Sequence, residues 1–275
     1  MIHSNLSFDD YTALPGINQS KLALLKSCPQ KFKFFSEHER KDSDALIIGR
    51  AIHTAVFQPE LFNAEFLCLP DIDRRTAKGK EQYAELVSQN PDKTVLKPAD
   101  FNRAMEIATA VRTNRHVLNL IEGAHAELSI TWVDADTDVP CKARLDCWNE
   151  ELGIVVDLKT TLDASLFGFP KKLYAYGYHR QAAWYLQSLR ANGESAKHFV
   201  FIAVEKEPPY SLGIYRLSDD AIRLSKAENE ALLRKYCECV RTDSWPGYTD
   251  GIEDISIPEY AINTMEENYG IEESI

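Results

Sequence analysis

The sequence predicts an α/β fold with a mixed sheet at its centre, and three observations carry that expectation. Helical spacing of apolar residues dominates up to about residue 122, three runs then alternate with period two, and helix and strand patterns take turns after them. In order, the chain reads as a helix over 20–27, a restart at Pro29 in the first-turn position that proline tolerates, and a helix over 46–57 that stops before Pro59. A longer helix covers 99–114. The alternating runs, 127–133, 141–148 and 154–159, are strands by their period. A helix over 172–191 follows, then strands over 198–204 and 211–217, and a last helix over 219–240. No internal repeat or low-complexity linker divides the chain, so it reads as an N-terminal arm over 1–16, one domain over 17–262 and an acidic tail over 263–275.

With 275 residues, 44% hydrophobic and 27% charged, the composition is that of a globular protein and excludes a disordered chain. No run approaches eighteen apolar residues, and residues 1–10 lack the charged-then-apolar order of a secretory signal, so no membrane association and a cytoplasmic location are expected. The six cysteines (Cys28, Cys68, Cys141, Cys147, Cys237, Cys239) have no repeating spacing, which suits reduced thiols in a core better than a disulfide framework. The net charge of −11 argues against a nucleic-acid partner until its distribution is considered. Residues 242–275 hold nine acids and no base, whereas 1–241 carries 33 acids against 31 bases. Six bases fall within 21–41, and Arg74, Arg75, Lys78 and Lys80 fall within seven residues. These clusters read equally well as solvated surface or as phosphate contacts.

The chemistry lies in the second and third strands. In the run 141–148 the odd positions are apolar or small, so Lys142, Arg144 and Asp146 share the other face. Asp157 and Lys159 likewise share a face of the next strand, about 6.6 Å apart along it. The intervening residues 150–153 suit a four-residue hairpin loop, whose symmetric register pairs Asn149 with Ile154 and Asp146 with Asp157. Opposed like charges destabilise a sheet, and a hard divalent cation would compensate them. Lys159 would then stand where it can act on a metal-bound water and a phosphate. The plainer reading is a surface hairpin with an Asp–Lys ion pair. Two further pairs recur at helical spacing, Gly49 with His53 and Gln181 with Tyr185; taken alone, the first reads more readily as packing and the second as an ordinary polar-aromatic edge.

Taken together in this order, Gly49-x-x-x-His53, Asp146, Asp157-Leu158-Lys159 and Gln181-x-x-x-Tyr185 resemble the RecB-like branch of the PD-(D/E)xK nuclease superfamily. Flanking segments narrow the resemblance to RecE-type exonucleases (the exonuclease VIII family): Ile48 to His53 with Pro59-Glu60, Arg74-Arg75-Thr76 with Gly79-Lys80, His125-Ala126-Glu127, Asp157 to Thr161, Tyr178-His179 and Asp243 to Pro246. It spans about residues 15–260, without the long preceding region of the largest members, as a free-standing nuclease domain would.

The resemblance implies a three-layer α/β core and a Mg²⁺-dependent exonuclease, with Mn²⁺ able to substitute. Such an enzyme degrades linear double-stranded DNA 5′ to 3′ and leaves a 3′ single-stranded tail for homologous recombination. It also implies a homo-oligomeric ring, a tetramer, and a single-strand annealing protein as partner. Carried over residue by residue, Asp146, Asp157 and the Leu158 carbonyl are metal ligands and Lys159 activates the water. His53 and Gln181 line the metal and phosphate site, and Glu127 is a further candidate ligand. Arg74, Arg75, Lys78, Lys80, Tyr178 and Tyr185 are expected at the DNA. Cys28 sits in a stretch that supplies the first cysteine of an iron–sulfur cluster in related nucleases, but only Cys237 and Cys239 follow near the C-terminus, so no cluster is expected. The same core would also suit a non-catalytic DNA-end-binding accessory protein or a restriction-type endonuclease.

Overall fold

Eight strands and twelve helices make up the described residues, 1–4, 6–38 and 43–270, of the computed structural model. Arg40 and Lys41 of the basic run and Glu272 and Glu273 of the tail lie outside the described residues. The chain opens with β1 (Ile2–His3) and α1 (Phe8–Ala13), then α2 (Gln19–Ser27), α3 (Pro29–Glu37), α4 (Asp44–Phe57) and α5 (Pro59–Glu65). A small parallel pair, β2 (Phe66–Cys68) and β3 (Thr94–Leu96), flanks α6 (Ala77–Gln89). Next come α7 (Pro98–Arg112), α8 (Arg115–Ile121), β4 (His125–Val133), β5 (Pro140–Asn149) and β6 (Ile154–Thr161). Helices α9 (Phe169–Ala175) and α10 (Tyr178–Arg190) cross to β7 (His198–Glu205), and β8 (Leu212–Arg216), α11 (Asp219–Thr242) and α12 (Glu259–Tyr269) complete the chain.

The main sheet has the order β1-β4-β5-β6-β7-β8, antiparallel throughout except for β6 and β7, which are parallel because two helices separate them. Strand alternation sends Val155, Phe199 and Phe201 to one face, where they pack with Leu25, Trp184, Leu186 and Leu233 of α2, α10 and α11. Val156, Leu158, Ile202 and Val204 face the other way, against Ile52, Val56, Ile107 and Val111 of α4 and α7. The result is the expected three layers with a mixed sheet in the middle.

The helix expected over 172–191 is two helices. Gly177 adopts the left-handed conformation (φ 70°) between them, and a Cβ there would fall 2.2 Å from the Arg180 guanidinium. Sequence patterning also passes over β1, α1, α5, α6, α8, α12 and the β2–β3 pair, most of them short. The boundary drawn at 262/263 falls inside α12, none of whose residues is buried. Residues 1–16 include an edge strand and a helix, with Tyr11 only 8% exposed.

Lys142 fixes that N-terminal segment to the sheet. Its Nζ donates to the carbonyls of Tyr11 (3.0 Å), Thr12 (2.9 Å) and Leu14 (2.6 Å) at the C-terminal end of α1, where the Tyr11 carbonyl also accepts the Leu14 N–H at 3.2 Å. Burial, and after it the charge of Lys21, lowers the Lys142 pKa to about 8. Lys142→Met removes the donor and strands the Thr12 and Leu14 carbonyls, so urea unfolding should show a loss of about 2 kcal/mol, and limited proteolysis should cut within residues 1–16 sooner than in the parent chain.

Candidate active site

The β5–β6 hairpin has the register that its loop predicts for three pairs, Asn149–Ile154, Trp148–Val155 and Cys147–Val156, and there the ladder ends. The expected Asp146–Asp157 pair is not formed. Instead Asp146 Oδ2 accepts the Leu158 N–H at 3.0 Å, so a side chain takes the place of a backbone partner. On the other side of β5 the β4 register also skips one position, between Ala126–Cys147 and Leu128–Leu145. The skipped residue is Glu127, held at φ 50°, a strained conformation for a non-glycine inside a strand. Both ladders therefore let go of β5 at Asp146, and the side chains there turn into a cleft.

His53 reaches this point from the middle of α4. Its Nδ1 lies 3.3 Å from Asp146 Oδ2, and its Nε2 lies 3.0 Å from the Leu158 carbonyl oxygen. Glu127 completes the group: one donor atom from each of His53, Glu127 and Asp146 falls within 4.8 Å of the others. Glu127 is oriented by Arg144, whose Nε donates to Oε2 at 2.8 Å while Nη1 donates to Ser129 Oγ (2.8 Å) and the Leu6 carbonyl (2.9 Å). Asp157 stands apart from the three. It is fully buried, its Oδ1 lies 2.5 Å from Lys159 Nζ, and neither of its oxygens has a hydrogen bond of good geometry among the described residues. Lys159 Nζ also sits 4.8 Å from the centre of the Tyr178 ring.

The electrostatics follow from crowding. Burial, and then the Asp146 carboxylate, pushes the Asp157 pKa up to about 7, while Lys159 works against the shift. Burial opposes the charge on His53, but Asp146 outweighs it and raises the imidazole to about 9. Burial also disfavours a charged Asp146, and His53 reverses that, lowering its pKa. Glu127 is raised, by burial first and then by Asp146. An imidazolium thus bridges Asp146 and the Leu158 carbonyl, supplying the positive charge that these groups require.

The donor set suits a hard or borderline divalent cation. Two carboxylates and a carbonyl favour Mg²⁺ or Mn²⁺, an imidazole nitrogen is compatible with Mn²⁺, and Asp157, paired with Lys159, adds a further buried carboxyl group nearby. His53 must give up its proton to ligate, so cation binding and protonation of this residue exclude one another.

These residues open into a cleft of about 900 Å³, walled by α1, α4 and the exposed ends of β4–β6. Gln181 and Tyr185 line it from α10, the Gln181 Nε2 donating to the Tyr185 hydroxyl at 2.8 Å. Arg74, Arg75, Lys78 and Lys80 do not line it: Arg75 pairs with Asp73 at 2.9 Å and Arg74 lies over the Tyr83 ring.

Residues 18–257 match the family described as a PDDEXK-like domain of unknown function (DUF3799). The chain belongs to this family. The PDDEXK-like domain, a member of the PD-(D/E)xK nuclease superfamily, thus occupies nearly the whole chain. The crystal structure of a putative exonuclease from Eubacterium rectale superposes over 98% of this chain and 100% of that one, with a TM-score of 0.57 at 17% identity, and shares the fold. The crystal structure of SSO0001 covers 70% of this chain and 95% of that one at 17% identity, with a TM-score of 0.31. No curated protein matches the sequence.

In the PDDEXK-like domain, Cys28 is buried at the junction of α2 and α3 with its Sγ 3.8 Å from the Pro246 carbonyl. No helix among the described residues is long and apolar enough to cross a membrane. Sequence reasoning named Glu127 as a candidate ligand and put Lys142 and Arg144 on the face of Asp146, but it gave those two cations no role. The signal available for the last two was a pair of cations on one strand face with a single carboxylate between them and the loop. Asp146→Asn keeps an acceptor for the Leu158 N–H but removes the charge. Titration calorimetry should show Mn²⁺ affinity falling at least about tenfold, with the thermal midpoint close to that of the parent chain.

Proposed function

We propose that this nuclease-family chain is a Mg²⁺-dependent 5′–3′ exodeoxyribonuclease of the RecE type, which resects linear duplex DNA and leaves 3′ single-stranded tails for recombination. The observation that supports it best is the convergence of His53, Glu127 and Asp146 where two strand ladders end, with the buried Asp157–Lys159 pair next to them. The RecE-type assignment, the tetrameric ring and an annealing partner rest on the sequence resemblance.

Asp146, Glu127, His53 and the Leu158 carbonyl would hold the cation, with Asp157 behind them. When bound, the cation supplies Lewis acidity for a phosphate oxygen and lowers the pKa of water. The protein's residues supply the rest. Lys159, anchored by Asp157, is a donor placed to orient the attacking water and to offset the charge that develops on the phosphate. Arg144 holds Glu127 in one rotamer, and the Leu158 N–H does the same for Asp146, so neither carboxylate has to reorganise when the phosphate arrives. Gln181 and Tyr185 define the far wall of the cleft and set how deeply a strand can enter.

Linear and closed circular duplexes, incubated with Mg²⁺, separate this reading from its rivals. Loss of the linear form alone, abolished by a chelator, is the expected result. Cutting of both forms would make the protein an endonuclease, and sparing of both a DNA-end-binding protein. DNA binding by the basic segment is tested separately. Replacing Arg74, Arg75, Lys78 and Lys80 with Ala should weaken duplex binding, and the slope of log affinity against log salt should flatten by about 0.9 for each phosphate that is no longer neutralised. An unchanged slope would leave that segment in solvent.

A further inference from the structure

The stretch that follows β6 presents large side chains outward from a well-anchored backbone. Leu166, Phe167, Tyr174 and Tyr176 are 67%, 84%, 74% and 61% exposed. Between them Phe169 is buried, its ring centre 5.7 Å from that of Phe201 and 5.6 Å from that of Tyr215. The Tyr215 hydroxyl donates to the Ala164 carbonyl at 2.6 Å. The exposed rings are therefore held in place by the core beneath them, and Tyr174 also stacks on the His179 ring, centres 5.5 Å apart and planes 15° apart, while staying 74% exposed.

Their arrangement continues the site. Lys159 Nζ lies 4.8 Å from the centre of the Tyr178 ring, Tyr178 stacks on Tyr176 with centres 5.6 Å apart and planes 23° apart, and Lys172 Nζ lies 5.7 Å from the Tyr176 ring centre. A row of cation, ring, ring and cation leads outward from the lysine beside the buried carboxylate. An exposed ring next to a lysine matches the two halves of a nucleotide: a base has a π-face to stack on the ring, and its phosphate is neutralised by the ammonium.

We propose that residues 166–176 form a stacking shelf for unpaired nucleotides of a DNA strand, with Phe167, Tyr174 and Tyr176 receiving bases and Lys172 receiving the backbone. The lysines and the continuity with Lys159 favour a polyanion over an apolar protein surface. The shelf deepens the nuclease reading and rests on it: it gives the site a means to grip a strand whose bases are no longer paired. Stacking does not discriminate among bases, so the grip would be indifferent to sequence.

The test is fluorescence anisotropy of a labelled oligothymidylate with the full chain in EDTA, so that the measurement does not depend on hydrolysis. The double variant Phe167→Ala, Tyr176→Ala should bind about tenfold more weakly or worse, given about 1–3 kcal/mol per stacked base. Tyr176→Phe keeps the ring and should bind like the parent. Both changes are at exposed positions, and circular dichroism should show the parent fold. Unchanged affinity in the double variant overturns the shelf. So does a fall in sedimentation mass with affinity retained, which would make the patch an interface between copies of this chain. Hydrolysis of linear duplex by the parent chain with Mg²⁺ is scored apart. If hydrolysis is absent but binding depends on Phe167 and Tyr176, the nuclease reading falls and the shelf stands; if hydrolysis is present but affinity is unchanged, only the shelf falls.

Discussion

Asp146 is buried where the ladders on both sides of its strand give way, and this molecule is organised around that place. Asp146 lies on the central β5 strand, and its Oδ2 takes the Leu158 N–H that the neighbouring strand would otherwise offer to a backbone carbonyl. That substitution ends the β5–β6 ladder at Cys147–Val156 and leaves the buried Asp157 paired with Phe201 of β7 but with no partner on β5. The cost is borne locally: Lys159 sits against Asp157, His53 against Asp146, and Glu127 accepts a left-handed backbone so that it can face them. A buried group of like charges is expensive unless something positive joins it. In the protein alone, protonated His53 and Lys159 fill that need.

The surrounding scaffold keeps this group in position. Helix α4 carries His53 to the site because Ala51, Ile52, Ala55 and Val56 pin the helix to the face formed by Val156 and Leu158. Arg144 and Lys142 share the face of β5 that carries Asp146, and both reach back to residues 6–14, so the segment that walls the cleft is tied to the same strand as the acid. Trp184 Nε1 donates to the Lys142 carbonyl at 3.0 Å, which locks α10, with Gln181 and Tyr185, to that strand as well. One strand therefore sets the relative positions of three walls of the cleft. A change in the packing of Trp184 would be felt at Gln181 one turn away.

Much of this was legible in the sequence because strand alternation and loop length are local properties. The period-two runs placed Lys142, Arg144 and Asp146 on one face, and the four-residue loop set the Asn149–Ile154 register. Helical spacing put Gln181 and Tyr185 on one edge, where they are hydrogen-bonded. The features that escaped depend on contacts distant in sequence. The left-handed conformation of Glu127 exists because Arg144, seventeen residues on, holds its side chain toward Asp146. The ladder break needs the Leu158 N–H to meet a side chain from the preceding strand, which alternation alone describes as a cross-strand pair. Gly177 was visible, but whether it breaks a helix or merely weakens it depends on the Arg180 side chain packed against it.

The charge distribution gains meaning from the same geometry. A net charge of −11 would repel DNA if it were spread evenly, yet the cleft combines its carboxylates with Lys21, Arg50, Lys142, Arg144 and Lys159, several of which are spent on internal carbonyls or acids. Lys142 is wholly engaged by α1 and Arg144 by Glu127, Ser129 and Leu6, so neither is free to offer a phosphate a full charge. On the proposed nuclease reading, a cation held by the carboxylates would add to the attraction that Lys159 offers there. The same reading accounts for a polyanion site lined with acids: His53 and Lys159 balance them without the ion, and with it the carboxylates would bring positive charge to the phosphate. On that reading, binding of a strand and of the cation would be coupled through Asp146 and Glu127.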